Sequence, residues 1–143
     1  MAIPVLRSKT LIQPAECSFP LAYDFLSDPG NFPLWAPAFF RSLRKSGNEW
    51  IADTPEGEAA VRFAGRNESG VLDHWVVPLN GKEAARKTLN PMRVLPRGPD
   101  GCAVMVTVFQ QPDMTHEQFL NGVETAEEEL RKLKRVLEER TAE

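Results

Sequence analysis

Two side chains of this 143-residue chain have the chemistry and the setting to act inside a β-sheet, the imidazole of His74 and the guanidinium of Arg93. His74 alternates with Leu72 and Val76, so all three belong on one face of a strand. An imidazole with an ordinary pKa near neutrality there can serve as a general acid or base. The same placement also suits a structural histidine whose hydrogen bonds are satisfied locally. Arg93 lies between Met92 and Val94, just after Pro91, where a bulge would turn the long cation inward to bind a carboxylate or polarise a carbonyl. Without a bulge it is a surface arginine lying along apolar neighbours. Asp73 cannot orient His74, because adjacent strand residues point to opposite faces. An arginine from a neighbouring strand is its expected partner, with Arg62, Arg66 and Arg93 as candidates.

Most other chemistries are excluded by what the chain lacks. It has no GxSxG elbow, P-loop, GxGxxG turn or HExxH pair. Its two histidines cannot build a multi-histidine metal centre, and no cofactor is implied. Glu56 and Glu58 flank Gly57 and read as solvated turn residues. A net charge of −3 without a Lys/Arg stripe argues against nucleic acid. Cys17 and Cys102 belong to no CxxC or Cys/His cluster and are expected as small buried hydrophobes. No apolar run approaches the roughly 18 residues of a membrane span, and the first residues lack a signal-peptide core, so membrane insertion is not expected and a cytoplasmic setting is.

The elements that must position these residues are marked by turn clusters. Ser46-Gly47-Asn48, Pro55-Glu56-Gly57, Asn67-Glu68-Ser69-Gly70, Asn80-Gly81 and Pro99-Asp100-Gly101 divide the middle of the chain into strands at 41–45, 49–54, 58–66, 71–79, 82–96 and 102–110. Asn80-Gly81 is the pair that a two-residue type I′ hairpin demands. An alternating segment at 5–13 adds a seventh strand. Pro91 predicts a bulge or an edge within 82–96, since it has no N–H for a ladder. In 58–66, Val61 and Phe63 should face the core while Arg62 and Arg66 face water.

Between the first two strands, Tyr23-Asp24-Phe25-Leu26 is helical and is stopped by Asp28-Pro29-Gly30. A short aromatic turn follows and ends at Trp35. Phe39 and Phe40 come next, and at most one of them can face inward if residue 40 belongs to a strand. Near the C-terminus, Thr115-His116-Glu117-Gln118 is a capping box that opens a helix of roughly 26 residues, about 39 Å long. Phe119, Val123, Ala126, Leu130, Leu133 and Leu137 give it one apolar stripe. Glu127–Arg131 and Glu128–Lys132 are favourable i,i+4 pairs on its other face. The stripe fits either the chain's own sheet or a coiled-coil homodimer, and three heptads after a β-meander favour the former. His116, in the first helical turn, has no assigned role.

The order of strand, two short helices, six strands and a long C-terminal helix resembles the helix-grip proteins of the START and polyketide-cyclase-like (SRPBCC) superfamily over nearly the whole chain. Phe25-Leu26-Ser27-Asp28-Pro29-Gly30-Asn31-Phe32-Pro33-Leu34-Trp35 and Gly70-Val71-Leu72-Asp73-His74-Trp75 are similar to bacterial members. The resemblance implies an α+β fold in which one seven-stranded curved antiparallel sheet wraps around the long helix, as a single domain over 1–143. It also implies a cavity between sheet and helix that takes lipids, sterols, polyketides or hormones. Trp35, Phe63, Leu72, His74, Met92, Phe119 and Val123 are the residues expected to line it. Three readings follow: binding of an apolar or amphipathic, lipid- or polyketide-like molecule; a metal-free cyclase, dehydratase or aromatase using His74 and Arg93; or a chaperone-associated interaction module.

Overall fold

A computed structural model describes residues 6–79 and 87–143. The expected Asn80-Gly81 hairpin lies outside the described residues. Strand β1 (Ser8–Ala15) leads into α1 (Phe19–Leu26), a 3-10 turn (Pro29–Asn31) and α2 (Phe32–Trp35). Strands β2 (Ser42–Ser46), β3 (Glu49–Thr54), β4 (Gly57–Phe63), β5 (His74–Pro78), β6 (Thr88–Asn90), β7 (Met92–Pro96) and β8 (Cys102–Phe109) follow, and α3 (His116–Thr141) closes the chain. No helix among the described residues is long and apolar enough to cross a membrane.

The strands form two antiparallel sheets, β1-β8-β7 and β2-β3-β4-β5-β6, in place of the single seven-stranded sheet expected from the sequence. Pro91 is the physical reason. It splits the 82–96 piece, so that Asn90 pairs with His74 in one sheet while Met92 pairs with Val106 in the other. Lacking an N–H, Pro91 contributes only its carbonyl, which accepts from the Thr107 N–H at 3.2 Å. The 71–79 piece is likewise shorter than expected. Its first residues hold the sheets together through the Val71–Arg93 bridge and the Leu72 N–H on the Met92 carbonyl at 2.8 Å.

Asp73 stands at the same junction. Its Oδ1 accepts the Met92 backbone N–H at 2.9 Å. The expected arginine partner is therefore corrected: Arg62 pairs with Glu49 and Arg66 with Asp24, both at the surface. Gly70 precedes this junction with φ +72°, and a Cβ there would sit 2.1 Å from the Val94 carbonyl oxygen, so only glycine fits. Asn67 shapes the approach by accepting from the Ser69 and Val71 N–H groups, while its own N–H donates to the Tyr23 hydroxyl at 2.9 Å.

The helices form where local chemistry starts and stops them. Ser18 caps α1, Asp28 accepts the Gly30 N–H at 3.0 Å beyond its end, and Asn31 Nδ2 donates to the Phe25 carbonyl at 2.9 Å. The capping box of α3 is closed in both directions, with Gln118 N–H to Thr115 Oγ1 at 3.0 Å and Thr115 N–H to Gln118 Oε1 at 2.8 Å. Leu133 and Leu137 are fully buried in the main core with Leu26, Leu72, Met92 and Val94. Burial of each of these leucines contributes roughly 1.5–3 kcal/mol before ordering entropy.

The C-terminal end of α3 is docked by polar contacts as well. Glu138 Oε2 accepts the Glu16 N–H at 2.9 Å, and the Arg140 guanidinium lies 4.6 Å from the Phe25 ring centroid. The i,i+4 pair that closes on this helix is Lys134–Glu138 at 2.8 Å, not the acid-first pairs read from the sequence. Cys17 and Cys102 are buried free thiols and prove to be neighbours, since β1 places Ala15 opposite Cys102. Burial and the adjacent Cys17 push the Cys102 thiol up to about 11.

Candidate ligand cavity

A cavity of about 640 Å³ opens between the N-terminal half of α3, the α2 turn and strands β5 to β8. Its size falls within the range of small-molecule sites. Each wall has a local cause. Proline and the short 3-10 turn bring α2 back across the sheet, which buries Trp35 and sets Phe32 at the centre of an aromatic cluster. Phe32 stacks on Phe40 at 4.1 Å and on Phe63 at 5.8 Å between ring centroids. Phe39 meets Phe40 edge-on at 4.9 Å, and both rings line the cavity because residue 40 lies in the turn before β2, where strand alternation does not apply.

The strand wall carries His74, 6% exposed and facing the cavity with Val76 and Met92. Its Nδ1 is 3.0 Å from the Leu72 carbonyl oxygen. A carbonyl can only accept, so Nδ1 carries the proton and Nε2 keeps its lone pair. Burial pushes the imidazole below its ordinary value, against the opposing pulls of the Leu72 carbonyl and the Asp73 carboxylate. The ring is held between Phe63 at 4.9 Å and Phe32 at 5.4 Å. It is therefore a neutral, preorganised acceptor near pH 7.

The helix wall is made by Gly122, Ala126, Glu129 and Leu130, which share one face at four- and three-residue spacing. The first two carry almost no side chain. A Cβ on Gly122 would reach only the Val108 methyl, at 4.0 Å, so the space beside it is open. Glu129 is half-buried on this wall, and burial pushes its carboxyl up to about 7. No hydrogen bond or ion pair reaches it among the described residues. Glu56 and Asp113 are exposed residues at the cavity's rim.

Of the residues expected to line a cavity, Trp35, His74 and Met92 do so. Phe63 stacks on His74 from behind, and Leu72, Phe119 and Val123 are buried in packing outside the lining. Arg93 is corrected: it is exposed between buried Met92 and Val94, because β7 keeps its alternation after Pro91 and no bulge turns the cation inward. Glu129 was not singled out from the sequence. The signal available was the run Gly122, Ala126, Glu129, a side-chain-poor strip on an otherwise leucine-rich helix.

No family model and no curated protein matches the sequence. Solved structures do match in shape. An uncharacterised protein from Bacillus thuringiensis is 14% identical with a TM-score of 0.69, covering 92% of this chain and 98% of that one. A START superfamily protein from Mycobacterium smegmatis is 17% identical with a TM-score of 0.64, covering 94% and 97%. Norcoclaurine synthase from Thalictrum flavum, a point mutant in complex with a transition-state analogue, is 15% identical with a TM-score of 0.64, covering 99% of both chains. The chain has the helix-grip fold of the START-like, SRPBCC-type proteins.

Proposed function

We propose that the protein binds an apolar or amphipathic small molecule, of lipid- or polyketide-like size, in the cavity between α3 and the sheets. The observation that carries this reading is the aromatic-lined space of about 640 Å³ beside a helix face reduced to Gly122 and Ala126. The fold shared with START-type structures supports it by analogy. Trp35 and Met92 supply apolar contact in this reading, and His74 supplies one oriented acceptor. An interaction module with a filled core has less support, since the space beneath α3 is open.

Mass spectrometry of freshly purified protein tests the proposal. A non-covalent adduct that survives gentle ionisation, disappears on denaturation and is missing from Gly122→Leu is the expected result. No adduct, together with no uptake of a neutral apolar probe, would sink the reading.

One observation favours a second reading, a cyclase- or dehydratase-type enzyme. His74 is held neutral beside a cavity that also contains a carboxyl group titrating near neutrality, Glu129. In that reading His74 is the base and Glu129 the proton donor. Turnover of any substrate that is unchanged in His74→Ala would eliminate it.

A further inference from the structure

The charge distribution around the cavity is one-sided. Among the described residues, no lysine or arginine lines it, while Glu129 stands on its helix wall and Glu56 at its rim. Six of the chain's cations are engaged elsewhere. Arg44, Arg62, Arg66 and Lys134 are paired with Glu58, Glu49, Asp24 and Glu138, and Lys87 and Arg140 lie over the rings of Trp75 and Phe25. Arg93, on the strand that contributes Met92 to the wall, faces outward.

A carboxylate taken out of bulk water without a hydrogen bond or counter-ion is costly, and a protein that keeps one in an apolar site leaves it needing a partner. A second group points the same way. His74, more than nine-tenths buried, offers the cavity an acceptor lone pair at Nε2 and no cation. Both walls therefore accept hydrogen bonds, and aromatic rings add faces that attract positive charge. An anionic ligand such as a fatty acid would meet Glu129 with no compensating cation among the described residues.

We infer that the cavity is built for an organic cation, an amphiphile whose apolar body lies against Trp35, Phe39 and Met92 and whose ammonium head meets the Glu129 carboxylate. The inference rests on the proposal that the cavity is a ligand site, and it adds the ligand's charge class. The other titratable groups that line the cavity are His74 from β5, Glu56 from the β3–β4 turn and Asp113 from the segment before α3. Arg131 and Lys132, two and three residues on along α3, are the nearest cations in sequence on its own helix, the first exposed and the second half-buried. Because Glu129 titrates near neutrality, the cation's affinity must rise with pH as the carboxyl ionises, whereas His74, already neutral, adds little change over the same range.

The test uses three probes of one shape, 2-naphthylmethanol, 2-naphthylmethylamine and 2-naphthylacetate, titrated calorimetrically into the full chain. At pH 8 the amine should bind at least tenfold more tightly than the alcohol, with the carboxylate weakest. Its affinity should fall roughly tenfold by pH 6, following the ionised fraction of a carboxyl with a pKa near 7. Glu129→Gln should bring the amine-to-alcohol ratio to about one and remove the pH dependence. If the alcohol binds and the amine binds no better, the charge class is wrong and the ligand site stands. If none of the three binds, the ligand site itself fails and this inference falls with it.

Discussion

Along α3, the C-terminal half places Leu133 and Leu137 at 0% exposure against the core, whereas the N-terminal half turns Gly122, Ala126 and Glu129 toward open space. Both halves follow one helical period and belong to one continuous helix. They differ in what the side chains do with the space between helix and sheet. Leucines fill it at one end, and small residues leave it open at the other. Glycine inside a helix costs about 1 kcal/mol relative to alanine, and an unpaired carboxyl on an apolar wall costs more. Neither is offset by local packing. The hollow half is therefore maintained against its own stability, as is common at ligand sites.

Substitutions that exchange the character of the two halves should separate them. Leu133→Ala, at the packed end, is expected to lower unfolding free energy by about 2–5 kcal/mol in chemical denaturation, through lost burial and a residual void. Gly122→Leu should act in the opposite sense. It keeps or raises stability, by up to about 1 kcal/mol from helix propensity, while weakening a neutral probe at least tenfold, about 1.4 kcal/mol in binding. Loss of stability comparable to Leu133→Ala would mean that the space beside Gly122 is already filled.

Glu129→Gln sharpens the comparison through pH. A carboxyl raised in the folded state binds a proton that the unfolded chain has released, so the native fold loses stability as pH climbs from about 4.5 toward 7. Glutamine removes that loss. Thermal unfolding without ligand should show the variant more stable than the wild type by on the order of 1–2 kcal/mol at pH 8, after allowance for solvent in the cavity, and little different at pH 4. A difference independent of pH would refute the unpaired carboxyl. The smallest effect belongs to Lys134→Ala, which breaks the exposed pair to Glu138 at the packed end. About 0.3–0.5 kcal/mol is expected from denaturation, and a larger value would shift credit from the leucines to the ion pair.

What could be read in the sequence was what local chemistry controls. The turns at Gly47, Gly57 and Gly70 coincide with positive φ, the Thr115–Gln118 capping box starts α3, and Pro91 interrupts the strand it lies in. Alternation along single strands also held, with His74 inward beside Leu72 and Val76, and Arg62 outward. Pairings made across the fold were not legible. The division into two sheets depends on which neighbour each side of Pro91 finds, and Asp73 binds a backbone N–H nineteen residues away that no charge pattern announces. The site was half legible for the same reason. Trp35, His74 and Met92 follow from local geometry, but Glu129 sits beside Leu130 on a helix rich in surface glutamates. What distinguishes it is the stand-off of α3 from the sheets, which the sequence signals only through the small residues Gly122 and Ala126 on the same face.

The most direct test of the hollow half uses the methionines as reporters. Met92 and Met114 line the cavity, whereas Met105, in β8, does not. In protein carrying 13C-methyl methionine, titration with 2-naphthylmethanol should move the Met92 and Met114 signals together to a common saturation point while Met105 stays in place. Movement of Met105 to the same extent, or binding that leaves Met92 and Met114 unchanged, would contradict a ligand site beneath the N-terminal half of α3.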